Sequence, residues 1–411
     1  MNKNIINTPN IVIKGDGIVS LLFALSLQSA VDDSFKILII KNKEFSRFNN
    51  KRNVRTISIS LSTVNMLRAL GFWETIVKHT QSINKIIISS INVDNINSGY
   101  LNFNSNLDGE AASYTIEEHI FREELLKNID TKKNIYFINA EIQSIIHKKN
   151  TIQIITVQSS IFETKLLVAA DGRKSKMRTL FKIKDIGWNY NQASLSAVIE
   201  HSKKHDGVAI ESFYSKGPFA ILPMTGNRSS IIWTMPRDEI YEYKNSNPLF
   251  LKDKIKDYFG NDRGEILHIK DIGIFELYFQ ISRKLVGTRF ALMGDAAHTV
   301  HPLAGQGLNI GIRDAATLAE KIVDALRYGF DFGSSAIIEE YEKERRFDIV
   351  SSALAYDSIN KFFTNKDKNL YQVGKMGLSI IEKIPWIKNV FIHEASGLSG
   401  VSSRLTRGEN L

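Results

Sequence analysis

Residues 289–314 constrain the fold more than any other stretch of the chain, and they read RFALMGDAAHTVHPLAGQGLNIGIRD. An apolar run short enough for a covered strand ends at Gly294 and Asp295, the position at which parallel α/β sheets bind their ligands. From about Leu308 onward, apolar residues recur at helical spacing. The free N–H groups and the partial positive charge at the start of that helix would face the intervening loop. The sequence therefore predicts a strand, an anion-binding loop and a helix.

The intervening loop contains glycine and proline residues that let the backbone approach a ligand closely. A tight connection without a ligand is the alternative for a short glycine turn, but the elements GDAAH, HP, AGQG, N and RD all occur here in order. The string resembles the second FAD fingerprint of the flavin-dependent aromatic hydroxylases, in particular the group that hydroxylates ubiquinone precursors. The resemblance implies that Asp295 binds the ribityl chain and that the loop meets the isoalloxazine ring. The implied FAD contacts are Gly294, Asp295, Pro302, Gly305, Gln306, Gly307, Leu308 and Asn309.

The N-terminus reads as a βαβ unit of the dinucleotide-binding type. Residues 10–13 and 36–40 are predicted strands, residues 18–30 a helix, and a glycine turn follows the first strand. A serine replaces the third glycine of the pattern and is small enough for the helix to pack closely on the strand. We expect the ADP half of FAD to lie on this turn and helix start, at Gly15, Gly17 and Ser20.

The second predicted strand runs into Lys41, at the point where dinucleotide-binding proteins carry an acid that accepts hydrogen bonds from the adenosine ribose. A lysine side chain cannot accept those bonds. Two explanations stay open: Glu44 takes the place of the acid, or FAD binds more weakly at this end. The basic segment 41–55 is either a solvated loop or a contact for cofactor phosphates.

A third pattern, ADGRKSKMR at residues 170–178, follows another predicted strand. A plain Asp-Gly turn is the alternative, but the spacing resembles the ADGxxSxxR of the same hydroxylases, in which the acid, here Asp171, shapes the flavin and nicotinamide approach. Arg55 resembles the arginine that begins a helix near the flavin in that family. Arg122, on a helix predicted over 114–126, falls where relatives reach the FAD pyrophosphate; an ordinary exposed helix arginine is its alternative.

A chain of 411 residues is long enough for two or three domains. The resemblance implies an α/β, FAD-binding Rossmann-like fold of the p-hydroxybenzoate-hydroxylase type, with an interleaved antiparallel-sheet substrate domain and C-terminal helices. Residues 135–146 and 151–157 are predicted to be paired strands, and residues 242–247 a polar loop. We expect an FAD-binding domain over 1–80, 110–182 and 286–335, a substrate domain over 81–109 and 183–285, and a C-terminal helical region over 336–411.

The net charge and the composition indicate which binding partners and which chemistry to expect. Lys and Arg exceed Asp and Glu by nine, which favours anionic surfaces, and the absence of Cys excludes disulfides and thiolate chemistry. The apolar segment 374–395, broken at Pro385, is either a membrane-surface helix or a C-terminal helical pair packed on the body. We expect a cytoplasmic protein, with a peripheral position on the inner face of the membrane and a quinone-biosynthesis complex as open alternatives. We expect no nucleic-acid partner and no metal.

The function implied by the resemblance is hydroxylation of the aromatic ring of a polyprenylated phenol in ubiquinone biosynthesis. NADPH or NADH would reduce FAD, and O₂ would form a flavin C4a-hydroperoxide that transfers one oxygen to the ring. The cofactor carries that chemistry, so no catalytic side chain is assigned, and His298 and His301 read more readily as structural hydrogen-bonding residues than as bases. A prenyl-lipid flavin reductase and a non-catalytic scaffold of a quinone-synthesis complex are the alternatives.

Overall fold

The computed structural model describes residues 7–41, 55–92, 95–104, 106–107, 109–364, 393, 396–398 and 403–411. Its strands, in chain order, are β1 Ile11–Lys14, β2 Ile37–Lys41, β3 Thr56–Ser60, β4 Gln81–Ser82, β5 Lys85–Asn92, β6 Asn95–Asn104, β7 Asn106–Leu107, β8 Glu110–Ala111, β9 Ser113–Glu117, β10 Ile135–Asn139, β11 Ile142–His147, β12 Ile152–Thr156, β13 Ile161–Thr164, β14 Leu166–Ala169, β15 Asp185–His201, β16 Val208–Tyr214, β17 Gly217–Met224, β18 Arg228–Pro236, β19 Ile266–Ser282, β20 Val286–Gly287, β21 Phe290–Leu292 and β22 His298–Thr299.

The α-helices of the described residues are α1 Ile18–Gln28, α2 Leu61–Ala69, α3 Trp73–Ile76, α4 Glu118–Asp130, α5 Lys176–Leu180, α6 Arg237–Asn245, α7 Pro248–Phe259, α8 Gln306–Arg327, α9 Ser335–Thr364 and α10 Arg404–Arg407. Short 3-10 turns cover Val77–His79, Gly294–Ala296 and Leu303–Gly305. Within the part of the chain that the structure describes, no helix combines the length and the apolar character that crossing a bilayer requires.

A six-stranded sheet in the order β10-β2-β1-β14-β21-β20 forms the first structural centre. Its first five strands are parallel, and β20 is antiparallel to β21. The strands are continuously apolar because helices cover the sheet. α1 and α8 pack against each other beside it, and the enclosed core includes Phe23, Phe121 and Phe290. The carboxyl ends of β1, β14 and β21 therefore meet at one edge of the sheet.

An eight-stranded sheet in the order β22-β19-β15-β18-β17-β16-β5-β6 forms the second centre. Its pairs are antiparallel except for β16 and β5, which are parallel. Leu195, Phe219 and Trp233 on one face form a separate core with Ile240 of α6 and Ile255 of α7. Because side chains alternate along a strand, the residues between them point to the opposite face.

Three local predictions were wrong. Residues 114–117 lie in β9, which pairs with β3 from Thr56 to Ser60, so α4 begins only at Glu118. The single strand predicted over 135–146 is two strands: β10 joins the six-stranded sheet, whereas β11 pairs with β12 in a small three-stranded sheet with β13. Most of the predicted loop over 242–247 is the end of α6. In each case long-range strand pairing or helix packing overrides the local polar pattern.

Candidate active site

A cleft of about 420 Å³ runs between the carboxyl edge of the six-stranded sheet and the face of the eight-stranded sheet that is turned away from α6 and α7. The predicted site residues that line it are Gly17, Ser20, Arg55, Asp171, Gly294, Asp295, Pro302, Gly305, Gly307 and Leu308. The second sheet contributes side chains that include Ser194, Ser196, Leu222, Ile232, Phe275 and Tyr278. The remaining predicted site residues do not line the cleft and lie behind it: Gly15, Arg122, Gln306 and Asn309. All three predicted fingerprints thus meet in one cleft.

The two glycines of the first turn have different tasks. Gly15 has a φ of +116°, and a Cβ at this position would collide with the carbonyl oxygen of Ala170. Gly17 has an ordinary φ, and no atom lies within 4 Å of the position that its Cβ would occupy. Gly15 is therefore required by the close approach of β1 and β14, whereas Gly17 leaves open space at the start of α1.

Arg122 holds this turn from behind. Its Nη2 donates to Oδ2 of Asp16 at 2.8 Å, and its Nε donates to the carbonyl oxygen of Asp16 at 3.2 Å. The Asp16 side chain is almost fully buried, so the guanidinium balances a carboxylate that would otherwise repel a phosphate group. Arg122 thus supports the turn through Asp16.

Arg55 lines the cleft, but the prediction that it begins a helix was wrong. It precedes β3, and α2 begins only at Leu61. Its guanidinium lies 5.7 Å from the ring centroid of Phe275, and its Nε lies 3.8 Å from Oε2 of Glu118. The side chain remains more than half exposed.

Lys41 ends β2 at the position expected for the ribose acid. Its Nζ lies 4.9 Å from the ring centroid of Phe137, and its carbonyl oxygen accepts a hydrogen bond of 2.9 Å from Nζ of the buried Lys14. Lys14 also donates to the carbonyl oxygen of Ala140, and burial lowers its pKa. Glu44 and the remaining basic residues of the 41–55 segment apart from Arg55 lie outside the described residues.

The third fingerprint is joined to the second. Oδ2 of Asp171 accepts a hydrogen bond of 3.3 Å from the backbone N–H of Met177, and Oγ of Ser175 caps α5 by accepting from the N–H of Arg178. Nη1 of Arg178 then donates at 2.8 Å to the carbonyl oxygen of Ala296. This contact fixes the turn after β14 against the turn after β21.

The start of α8 is held by Asn309, which does not face the cleft. Its Oδ1 accepts from the N–H of Ser60 at 2.9 Å and from Oγ1 of Thr63 at 3.0 Å, while its Nδ2 donates to the carbonyl oxygen of Ser58. Gly305, immediately before α8, has a φ of +64°, a left-handed conformation that favours glycine. The first turn of α8 therefore presents its backbone N–H groups to the loop in a fixed orientation.

Comparison with known proteins agrees with this geometry. The family described as FAD binding domain (FAD_binding_3) matches residues 12–353, more than half of the chain. The chain belongs to this family of FAD-binding proteins. Within it, the chain is a flavin-dependent aromatic monooxygenase of the ubiquinone-hydroxylase group, as the sequence patterns predicted.

Three relatives cover most of the chain. The uncharacterized protein slr1300 of Synechocystis is 31% identical over 98% of this chain and 97% of its own length. Ubiquinone hydroxylase UbiL of Rhodospirillum rubrum is 30% identical over 86% of this chain and 82% of its own length. The 3-demethoxyubiquinol 3-hydroxylase of Escherichia coli is 25% identical over 94% of this chain and 98% of its own length.

Solved structures confirm the predicted fold class. p-Nitrophenol 4-monooxygenase PnpA from Pseudomonas putida superposes with a TM-score of 0.78 at 15% identity, covering 96% of this chain and 99% of its own. Klebsiella pneumoniae HpxO, solved with FAD and uric acid, superposes with a TM-score of 0.72 at 17% identity, covering 95% of this chain and 97% of its own.

The residues of this monooxygenase fit FAD. The space beside Gly17 and the N-terminus of α1 suits a diphosphate, and the exposed carboxylate of Asp295 lines the same cleft. The N-terminus of α8 follows the loop that contains Pro302 and Gly305, where it favours negative charge.

A buried ionic network fixes the GDAAH segment of the monooxygenase. Oδ2 of Asp314 accepts from the N–H of Gly294 at 3.0 Å and contacts Nε2 of His298 at 2.7 Å, and its Oδ1 accepts from Nε of Arg345 at 2.8 Å. Burial opposes ionisation, but His298 and Arg345 together hold the pKa of Asp314 below its usual value. His298 is therefore a structural residue. Sequence reasoning did not single out Arg345, whose only signal is a basic residue in a charged helix.

His301 lies in the loop between β22 and α8 and is buried from solvent. Its ring centroid is 5.1 Å from that of Tyr190, whose hydroxyl donates to Oδ1 of Asp357 at 2.8 Å. No hydrogen-bond partner of either ring nitrogen is found among the described residues. Burial, opposed in part by Asp357, lowers the pKa of His301 to about 4. The imidazole is thus neutral at physiological pH.

Proposed function

We propose that this monooxygenase hydroxylates the aromatic ring of a polyprenylated phenol in ubiquinone biosynthesis, with NADPH or NADH as reductant and O₂ as the oxygen source. The observation that carries the proposal is the continuous cleft from the glycine turn at Gly17 to Ser196 and Ile232 on the eight-stranded sheet. The names of two full-length relatives, a ubiquinone hydroxylase and a demethoxyubiquinol hydroxylase, support the substrate class.

We infer cofactor-binding roles for the residues that the fingerprints predicted. Gly15, Gly17 and Ser20 would shape the diphosphate end, and Arg122 would support it through Asp16. Asp295 would accept hydrogen bonds from the ribityl hydroxyls. The groups closest to the flavin ring and its surroundings would be Arg55, Asp171, Gly294, Pro302, Gly305, Gly307 and Leu308. Gln306 and Asn309 would support this loop from behind the cleft lining.

When bound, reduced FAD would supply the activation of O₂, and the chain would supply position and a dry environment. The N-terminus of α8, held by Asn309, would stabilise negative charge on the ring system beside it. Leu222 and Ile232 give the opposite wall an apolar surface suited to a prenylated ring, while Ser194 bonds to Thr234 at 2.7 Å and adds a polar strip.

The strands of the two large sheets support the proposed domain division. The parallel sheet draws its strands from within 1–80, 110–182 and 286–335, and the large sheet draws most of its strands from 81–109 and 183–285, which supports an interleaved arrangement. A membrane surface and a quinone-biosynthesis complex are proposed partners as well. The segment 374–395, on which the membrane proposal was based, lies outside the described residues except for His393.

The purified protein tests the proposal. We expect it to carry or bind FAD and to convert a phenol bearing a ten-carbon prenyl chain into a product heavier by one oxygen atom, with NADPH or NADH, only in air. Labelled oxygen from ¹⁸O₂ should appear in the product. A reduced prenyl chain formed without O₂ would instead identify a prenyl-lipid reductase. FAD binding with neither product would contradict both activities.

A further inference from the structure

Glu211 lies on the face of the eight-stranded sheet that forms the cleft wall. In the strand register, Glu211 on β16 is opposite Ala220 on β17, Ala220 is opposite Ile232 on β18, and Ile232 is opposite Ser196 on β15. Side chains of directly paired residues point to the same face. Since Ile232 and Ser196 line the cleft, the Glu211 side chain points to the same side, two strands beyond Ile232.

The surroundings of Glu211 on this face are apolar. On the other side of β16, Glu211 is paired with Ile88 of β5, which is paired with Leu101 of β6. Two residues along β16, Phe213 stacks on Phe363 of α9 at a centroid distance of 4.3 Å. Leu101 and Phe213 belong to the core that also covers the six-stranded sheet, and the partly buried Ile88 packs against it. A carboxyl group in this position therefore stands in an apolar wall inside the protein.

No charged neighbour on this face offsets the cost of burying the Glu211 carboxyl group. On this face, Arg228 of β18 is paired with Glu117 at 3.0 Å at the far end of the sheet, and Asp357 and Lys361 of α9 are paired with each other at 2.7 Å. β17 has no ionisable residue between its ends, and Lys85 of β5 points to the opposite face by the strand alternation. Among the described residues, none forms a hydrogen bond or ion pair with Glu211.

Glu211 nevertheless keeps a partly accessible side chain. An isolated carboxyl group in an apolar wall is costly, because burial without a partner disfavours both its charge and its hydrogen-bonding groups. Glu211 lies on the face that carries the cleft wall, beyond the residues that line the 420 Å³ cleft, and its accessible surface leaves room for a polar ligand atom. A single hydroxyl on an otherwise apolar ligand is the ligand chemistry that matches this combination.

We propose that Glu211 binds the phenolic hydroxyl of the substrate and accepts its proton. This inference rests on the proposed function. A carboxylate oxygen of Glu211 would form a new O–H bond as the phenolic O–H bond breaks, and the electron pair would stay on the substrate oxygen. The resulting phenolate is richer in electrons at the ring carbons ortho and para to the oxygen, which are the carbons that an electrophilic oxygen attacks.

The acidity of Glu211 is suited to this task. Burial raises the pKa of its carboxyl group to about 8. An acceptor with a pKa near the working pH combines an adequate ionised fraction with a useful basicity toward a phenol. The rate for the wild-type protein should therefore rise with pH through about 8, as Glu211 becomes ionised.

The test compares Glu211→Gln with Glu200→Gln. Glutamine keeps the shape of Glu211 but cannot accept a proton, and Glu200 is a surface residue of the same sheet, paired with Lys270 at 2.6 Å. We expect E211Q to bind FAD as the wild type does and to lose hydroxylation of the ten-carbon prenylphenol by about 100-fold or more. The rise near pH 8 should disappear in E211Q and persist in E200Q. A ring-fluorinated, more acidic phenol should recover part of the E211Q rate.

A binding measurement separates this inference from the proposed function. 4-Nitrophenol, whose ionised form is coloured, should bind the wild-type flavoprotein as phenolate at a pH below its own pKa, and E211Q should lose that shift. If the wild type ionises the bound phenol but never hydroxylates one, the proposed function fails and the Glu211 assignment stands. Hydroxylation by E211Q within threefold of the wild-type rate, or an unchanged nitrophenol shift, would overturn the assignment.

Discussion

Nε of Arg345 donates to Oδ1 of Asp314 at 2.8 Å, and both side chains are sealed from solvent. The same aspartate accepts the N–H of Gly294 through its other oxygen. Arg345 lies on α9, Asp314 on α8 and Gly294 in the loop after β21. The ion pair therefore connects α9 to the backbone turn that presents Asp295 to the cleft.

Replacing Arg345 by Met should leave Asp314 and Asp348 short of a buried cation. Nη1 of Arg345 also contacts Oδ2 of Asp348 at 2.5 Å, so one substitution breaks two ion pairs. We expect the free energy of unfolding, measured with urea on the FAD-free protein, to fall by about 3–5 kcal/mol, the usual cost of stranding a buried charge. Arg407→Ala, which breaks a surface pair with Glu409, is the control and should leave the urea midpoint unchanged. Equal midpoints for the two variants would contradict a structural role for Arg345.

Alanine at Gly15 and alanine at Gly17 should give opposite phenotypes. G15A meets both a left-handed φ and a collision with Ala170, and should destabilise the protein by at least about 2 kcal/mol even without FAD. G17A has neither problem in the protein alone, so its FAD-free stability should match the wild type. Its methyl group would occupy the open space at the start of α1 and lower FAD affinity. Normal FAD binding by G17A, measured by fluorescence titration, would show that the diphosphate lies elsewhere.

The sequence was most informative where contacts are local. Around Gly15, Asp171 and Asp295, the strand, the turn and the first turn of the following helix each lie within about 20 consecutive residues, and the turn-forming residues can be recognised in the sequence. All three meet in the cleft as expected from the carboxyl edge of a parallel sheet. The cleft-lining loop Pro302 to Leu308 was predicted for the same reason.

Residues whose role depends on distant pairing could not be found in this way. β9 pairs with β3, a strand about 55 residues away, with Glu117 opposite Thr56 and Ser113 opposite Ser60. Its residues have a helix-like pattern, so the sequence wrongly predicted a helix there. Glu211 shares the sheet face of the cleft wall only because of its register with β17 and β5. A signal did exist for Ser194 and Ser196, which alternate with apolar residues in ASLSAVIE and so mark one polar face of a strand.

Asp295→Asn should weaken FAD binding without unfolding the protein. Asp295 is exposed in the cleft, and loss of its charge would weaken hydrogen bonds to the ribityl hydroxyls by about 1.5–3 kcal/mol, or about 10- to 100-fold in affinity. We expect the loss of FAD affinity to lie at the upper end of this range, because β2 ends in Lys41, whose side chain cannot accept hydrogen bonds from the ribose. Asp253→Asn on the exposed side of α7 is the control. Titration of the FAD-free proteins measures both, and equal affinities would remove Asp295 from the site.

His301 should make the protein sensitive to acid. Its pKa is lowered to about 4 by burial, with Asp357 opposing, whereas in the unfolded chain it is near the ordinary value of about 6.5. Between these values the unfolded chain binds more protons, so stability falls as the pH drops from about 6.5 to about 4. A shift of this size corresponds to about 3 kcal/mol at full effect.

His301→Leu should remove that sensitivity, because leucine takes up no proton. We expect the melting temperature of H301L relative to the wild type to rise steadily as the pH is lowered from 6.5 to 4, and to be independent of pH above 7. His268→Leu, at an exposed position on β19, is the matched control and should follow the wild-type curve. Parallel melting curves for H301L and the wild type over this range would mean that His301 is charged in the folded protein, and the ring would then need an acceptor close to Tyr190 and Asp357.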